Sequence, residues 1–386
     1  MLKYKNIYLA RGNMKVLMIL SKHFITDPRV QKEAETLSEN GHEVSVIVWD
    51  RKGDLKPYEE INNINIHRIR NSFLMKILPN NILRNPLWWR KAYKKGIKLH
   101  EKEFRFDAVH CHDLDTLQAG VWIKQKIGCK LVYDAHEIFG YMIEGRAPRY
   151  AVKKAFSMEN KLLRYVDQMI TVSEPFKEYY SRITDKPITI VMNCKELRYK
   201  KYEPKRNKIF TLLYIGSMSK LRFFPEIVDI IGNIPDVKFK IAGLQGWLYD
   251  EVKKRSKKYK NIEFLGTIPT NDILKLTRQT DTVYLMVDPS SKQMQLTLFN
   301  KQFEAMVCGT PIITTKGIHA GNMTEKLKCG LTVDYNAESI KKAIIQLRDN
   351  PSLREKLGKN AFKAAQNRYN WEKEKEKLLK IYEELK

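Results

Sequence analysis

The chain has 386 residues, 43% of them hydrophobic, which excludes a disordered chain and suits two domains of ordinary size. Its net charge of +26 suits nucleic acid, an anionic membrane surface or phosphate-bearing small molecules, and the spread of cations over both halves without a recognition motif excludes the first. No run reaches the roughly 20 apolar residues that span a bilayer, and the five scattered cysteines, Cys111, Cys129, Cys194, Cys308 and Cys329, show no metal-ligand spacing and predict a reducing cytosol.

In chain order the pattern is a steady alternation of strand and helix. Met14 directly precedes the first apolar run, Val16 to Leu20, so residues 1–13 read as an extension outside the fold. Asp27 can cap a helix with Pro28 at its first position, and Gly41 closes it. Strands follow at 43–49, 108–110, 130–134 and 168–172, each short and continuously apolar. Such runs, separated by helices, imply a parallel sheet covered on both faces. A polar, basic linker occupies 195–208. The alternation then restarts, with strands at 210–215, 238–242, 262–265, 282–286 and 311–314. The prediction is two doubly wound α/β domains in tandem, 14–200 and 201–368.

In such sheets ligands bind beyond the carboxyl ends of the strands. That rule selects His112, Asp113, His136, Glu137, Ser173, Gly216, Ser217, Arg222 and Gly243. Each has a plain structural alternative. His112 and Asp113 could cap a helix, Ser173 could do the same, and the two glycines could simply turn the chain. Lys301 and Glu304 sit in LTLFNKQFEAMVCGTPII, a stretch otherwise made for burial. They could be a surface pair three residues apart, or two charges placed to meet a ligand.

Nine segments in order carry a resemblance. DPRVQKEAETLSENGHEVSVI, DAVHCHDLDTLQAG, KLVYDAHEIF, MITVSE with IVMNCKE, LLYIGSMSKLRFFPEIVDII, KFKIAGLQG, NIEFLGTIP, NKQFEAMVCGTPIITT and YNWEKEKEKLLKIYEEL together resemble a GT-B-fold glycosyltransferase of family 4. The resemblance runs from Met14 to Lys386. It implies two Rossmann-like domains facing a cleft, with 369–386 returning to pack on the first. The family's first glutamate is replaced by Leu296, and Asn300, Lys301 and Glu304 fit the Asn-Lys-x-x-Glu pattern of one branch. Ser217 stands where many members have arginine.

The resemblance also implies the chemistry. A sugar nucleotide leaves a diphosphate whose negative charge grows in the transition state, so donors must be placed there. Arg222 suits phosphate by its planar fork and Lys301 as a point charge, with N–H groups of the helix starting near Asn300 added. Glu304 is expected to accept the ribose hydroxyls. Gly216, Ser217, Gly243 and Ile268 belong to the same donor site. His136 is expected to face the donor sugar, and His112 and Asp113 the acceptor, a saccharide or a lipid-linked glycan. Transfer retains the anomeric configuration, the leaving phosphate takes the acceptor proton, and neither metal nor other cofactor is expected.

The segment 68–105 carries eleven Lys and Arg against two Glu, a local charge of +9, interleaved with Phe73, Leu74, Ile77, Trp88 and Trp89. Basic residues beside tryptophan suit an anionic membrane surface, with a packed and solvated helix as the alternative. Two further readings stand beside the transferase: a catalytically weak partner subunit of the same fold, allowed by Leu296, and a sugar-nucleotide epimerase sharing the architecture.

Overall fold

The continuously apolar runs become parallel strands buried on both faces, as their composition demands. The computed structural model describes residues 13–386, so all of the expected extension except Asn13 lies outside the described residues. The chain forms two compact units. The first runs to Val191 and takes in Lys375–Lys386; the second is Met192–Glu374.

The strands of the first unit are β1 (Lys15–Leu20), β2 (Glu43–Asp50), β3 (Tyr58–Ile61), β4 (Ile64–Arg70), β5 (Ala108–His112), β6 (Lys130–Ala135), β7 (Gln168–Thr171) and β8 (Ile188–Ile190). They lie in the order β3-β4-β2-β1-β5-β6-β7-β8. Only the edge strand β3 runs antiparallel, to β4. The second unit holds β9 (Phe210–Ile215), β10 (Val237–Ala242), β11 (Ile262–Gly266), β12 (Thr282–Leu285), β13 (Ile312–Thr315) and β14 (Gly330–Val333), in the order β11-β10-β9-β12-β13-β14. All its pairings are parallel. Its core joins Tyr214, Phe224, Phe239 and Tyr284 to the aliphatic residues of β9, β10 and the Glu226–Gly232 helix.

Asp27 caps the Pro28–Glu39 helix, its side chain accepting the Arg29 N–H at 3.3 Å. The Trp371–Glu384 helix ends in the first unit, where Leu378, Ile381, Tyr382 and Leu385 are buried.

The basic segment differs from its sequence reading. It begins inside β4, then forms a short helix, Phe73–Ile77, and a long one, Asn81–Lys102. Trp88 is fully buried and stacks on Trp49 at 5.1 Å with 10° between the rings. The indole N–H groups of Trp88 and Trp89 both donate to the Asp115 carbonyl, at 3.2 and 2.7 Å. Trp88 therefore packs the long helix on β2, both indoles tie it to the first turn of the Leu114–Ile127 helix, and they are not a lipid-facing pair. The exposed apolar side chains are instead Phe73, Leu74, Ile77, Ile82 and Leu83.

Candidate functional site

In the first unit the site is built by strand alternation. His110 and His112 are two apart on β5 and so share a face. The β5–β6 register sets His112 beside Asp134. His136 follows two residues later, just past the end of β6. Asp134 consequently gathers three imidazoles. Its Oδ2 lies 2.6 Å from His136 Nε2, 3.1 Å from His112 Nδ1 and 3.7 Å from His110 Nε2. The rings stack in sequence, with centroids 4.3 Å apart for His110 and His112 and 6.0 Å apart for His112 and His136.

Burial alone would push the Asp134 carboxyl up. The His136 ring, with His110 and His112, overcomes this and holds it well below the usual carboxylate range. Burial, and then His110, lower His112 to about 4, so its imidazole is neutral at pH 7. Glu33, on the Pro28–Glu39 helix, is raised well above its ordinary value by burial and then by Asp134. The hydroxyl of Tyr382 meets His110 Nδ1 at 2.8 Å.

Asp113 bridges two strand exits. Its backbone takes φ +63°, a conformation that costs a non-glycine residue about 1–3 kcal/mol. Its N–H donates to the Asp134 carbonyl at 2.9 Å, and its Oδ1 accepts the His136 N–H at 3.2 Å. Lys22 stands 3.5 Å from its Oδ2. Nearby, the Ser21 hydroxyl donates to Asp115 at 2.5 Å, and burial followed by Asp113 raises Asp115 to about 6. The first unit thus brings together His112, Asp113 and His136. Asp134, His110 and Glu33 join them without having been candidates.

In the second unit, Gly216 follows β9 with φ +150°. A side chain there would meet Lys301 Nζ at 2.6 Å, so the glycine makes the space that the lysine enters. Lys301 Nζ lies 4.9 Å over the Tyr214 ring. Arg222 lies 4.6 Å over Phe299, the residue before the Asn300–Val307 helix. Its carbonyl accepts the Tyr284 hydroxyl at 3.3 Å. Burial, and then Arg222, lower Lys301 to about 7. Gly243 is buried, and a Cβ there would meet the Gly216 carbonyl at 2.1 Å, so it permits close approach of two strand exits. Ser217 exposes its side chain while its carbonyl is held by the Tyr214 hydroxyl. Asn300 is exposed at the start of its helix, and Ile268 is half-buried two residues past β11, the edge strand.

Glu304 is buried, and its ion-pair partner is Lys195 at 3.2 Å rather than Lys301. Lys301 turns instead toward the room left by Gly216. Lys195 had drawn no attention in the sequence, because it sits in a basic stretch that reads as linker. Its carbonyl also accepts the Trp371 N–H at 3.0 Å, which ties that stretch to the second unit.

Two parallel α/β units with polar groups at their strand exits define the GT-B class of fold. The sucrose-phosphate synthase of Thermosynechococcus elongatus superimposes with a TM-score of 0.77 at 17% identity, covering 96% of this chain and 99% of that one. Anabaena HepE, solved in complex with UDP, gives 0.71 at 15% identity, covering 96% and 100%. Residues 29–195 match Glycosyltransferase Family 4, and residues 196–364 match Glycosyl transferases group 1. An uncharacterized glycosyltransferase of Methanocaldococcus jannaschii is 24% identical over 377 residues, 90% of this chain and 91% of its relative. Spore coat protein SA of Bacillus subtilis is 24% identical over 75% of this chain and 82% of its own length. The chain belongs to the family 4, group 1 glycosyltransferases, and it is a transferase enzyme.

Proposed function

We propose that the protein is a retaining glycosyltransferase that takes a sugar from a nucleotide-sugar donor and passes it to a saccharide or lipid-linked acceptor in cell-surface glycan synthesis. The observation that carries this reading is a pair of cations past the β9 exit: Lys301, in the room that Gly216 leaves, and Arg222, over Phe299 and close enough to Lys301 to lower its pKa. A diphosphate is the leaving group that such a pair suits. UDP and UDP-glucose complexes of HepE, a protein of the same fold, support a nucleotide-sugar donor.

In this reading the bond between the anomeric carbon and the phosphate oxygen breaks. The acceptor hydroxyl bonds to the same face of that carbon, and its proton passes to the leaving phosphate. Arg222 and Lys301 stabilise the departing charge without a metal ion at the diphosphate. Glu304, steadied by Lys195, accepts the ribose hydroxyls. His136 is assigned to the transferred sugar, held by Asp134 and Asp113, while His112 and Asp113 serve the acceptor.

A lipid-borne acceptor is favoured by a separate feature. Phe73 and Ile77 are 80% and 60% exposed beside the exposed Lys76, and Leu74, Ile82 and Leu83 continue the apolar surface. Among the described residues no helix is long and apolar enough to cross a membrane. The surface therefore fits docking on an anionic leaflet at the cytoplasmic face.

Thermal-shift screening of UDP-, GDP- and ADP-sugars tests the donor assignment. A bound donor at 100 times its dissociation constant adds about 2.7 kcal/mol of stability. If no sugar nucleotide raises the melting temperature, the assignment is wrong. Donor binding without hydrolysis or transfer would favour the partner-subunit reading, and a new sugar nucleotide formed without acceptor would favour the epimerase.

A further inference from the structure

We propose that Glu33, His110, His112 and Asp134 form a buried site for one divalent transition cation of the zinc class. The proposal shares His112 and Asp134 with the transfer reading but does not rest on it, and no step of the reaction runs through the ion. Each of the four residues offers one ligand atom, and all four atoms lie within 4.8 Å of one another. The separations resemble a coordination shell. His112 Nδ1 is 3.1 Å from Asp134 Oδ2, His110 Nε2 is 3.7 Å from the same oxygen, and His110 Nε2 is 3.8 Å from Glu33 Oε2. Nitrogen and oxygen ligands at about 2.0–2.2 Å from a tetrahedral ion lie about 3.3–3.6 Å apart.

The polar atoms in the cluster need something. Glu33, His110, His112 and Asp134 are each at most 2% exposed. Glu33 Oε2, His110 Nε2, His112 Nε2 and Asp134 Oδ1 have no protein hydrogen-bond partner. The 3.7 and 3.8 Å contacts of His110 Nε2 are too long to be hydrogen bonds. Buried polar atoms are nearly always partnered, and two of these orphans, Glu33 Oε2 and His110 Nε2, are ligand atoms facing each other at 3.8 Å, while His112 and Asp134 bring their Nδ1 and Oδ2 atoms, 3.1 Å apart, to the same cluster.

The supporting groups point the same way. Tyr382 holds His110 at Nδ1, and with Nδ1 protonated and donating to the phenol oxygen, Nε2 turns its lone pair inward. Two carboxylates balance a dication, which answers the cost of burying both beside one another. Imidazole with carboxylate selects a zinc-like ion over magnesium or calcium, which prefer oxygen alone. The ion would tie the Pro28–Glu39 helix to β5 and β6, and so fix Asp134 beneath His136. The sequence could not show this, because the ligands come singly from a helix and in part from two strands.

The test is metal content by plasma mass spectrometry on the full chain, purified without an immobilised-metal step. The expected result is about one zinc-class ion per chain, falling below about a tenth in Glu33→Gln and in His110→Gln and kept in the exposed-site control Trp247→Ala. Wild-type chain that carries no ion as purified, and takes up none when refolded with excess zinc, overturns the proposal and leaves a proton between Glu33 and Asp134. Retention of the ion by both variants also overturns it, because the metal then sits elsewhere. If the variants fail to fold, X-ray absorption of the wild-type holoprotein decides. Two imidazole nitrogens with two carboxylate oxygens uphold the site, and a shell containing sulfur overturns it.

Discussion

At pH 7 the Lys301 ammonium is poised to lose its proton, because burial and Arg222 bring it from its ordinary 10.5 to about 7. Between about 7 and 10.5 the unfolded chain keeps this proton and the folded chain does not, so Lys301 makes folding more favourable as pH rises through that window. Donor binding has the opposite dependence. A diphosphate beside the ammonium favours the charged form, so binding above pH 7 takes up a proton. Isothermal titration should show the donor dissociation constant rising by up to tenfold per pH unit above about 7. Lys301→Arg should flatten that rise, and a flat wild-type profile would remove Lys301 from the diphosphate. Glu304 is tested separately. A hydrogen bond to a charged acceptor contributes about 1.5–3 kcal/mol, so Glu304→Ala should weaken donor binding roughly 10- to 150-fold in a chain that still folds, with a lower melting temperature from the unpaired Lys195. Unchanged affinity in calorimetry would leave Glu304 as a structural partner of Lys195. For His136 the expected effect is on rate. His136→Ala should cut kcat far more than it raises KM, as for a group that acts in the transition state. Equal losses would make it a binding contact only.

The Asn81–Lys102 helix and its short predecessor separate two roles that the sequence ran together. Trp88 is packed on Trp49, so Trp88→Ala should cost about 3–5 kcal/mol of first-unit stability, read by chemical denaturation. Phe73→Ser with Ile77→Ser should leave stability nearly unchanged and lower sedimentation with phosphatidylglycerol vesicles at every salt concentration, since apolar insertion is not screened. Lys76→Glu with Lys94→Glu should lower it mainly at low salt, where the screening length is long. Wild-type protein that stays in the supernatant would end the membrane assignment. Tryptophan beside lysine was a poor guide here, because an amphipathic helix puts large aromatics on its packed face while its cations cover the other. The central strands were legible because Val, Ile and Leu run on continuously where both faces are covered. The β3–β4 hairpin was not, since the edge strand YEEI mixes charge with apolar residues and INIHRIR, paired on both sides, interrupts its apolar run with Asn, His and Arg. Strand exits exposed His112, Asp113 and His136 to view. Asp134, inside a strand and wholly buried, was no candidate, because only the register sets it beside His112.

On the scale of the whole molecule, the last residues of the chain complete the first unit. Lys375–Lys386 belongs to that unit although the 183 preceding residues, Met192–Glu374, form the second. Leu378, Ile381, Tyr382 and Leu385 are buried there, and the tyrosine also meets His110. Burying a large apolar side chain contributes about 1.5–3 kcal/mol, so the four together contribute about 6–12 kcal/mol, an upper figure because the unfolded chain already hides some surface. That is comparable with the whole stability of an ordinary domain, about 5–15 kcal/mol. Deleting residues 375–386 should therefore unfold the first unit, or leave it marginal, while the second unit keeps its own core of Tyr214, Phe224, Phe239 and Tyr284. Hydrogen exchange followed by mass spectrometry checks this directly. Amide protection should collapse in β1, β5 and β6 and persist in β9, β10 and β12. A milder variant, Tyr382→Phe, keeps the ring and removes the hydroxyl. It should preserve most of the protection and change the environment of His110 alone, which the imidazole carbon-bound proton signals would report. If the truncated chain retains full protection in β5, the terminal segment does not stabilise the first unit as its burial implies.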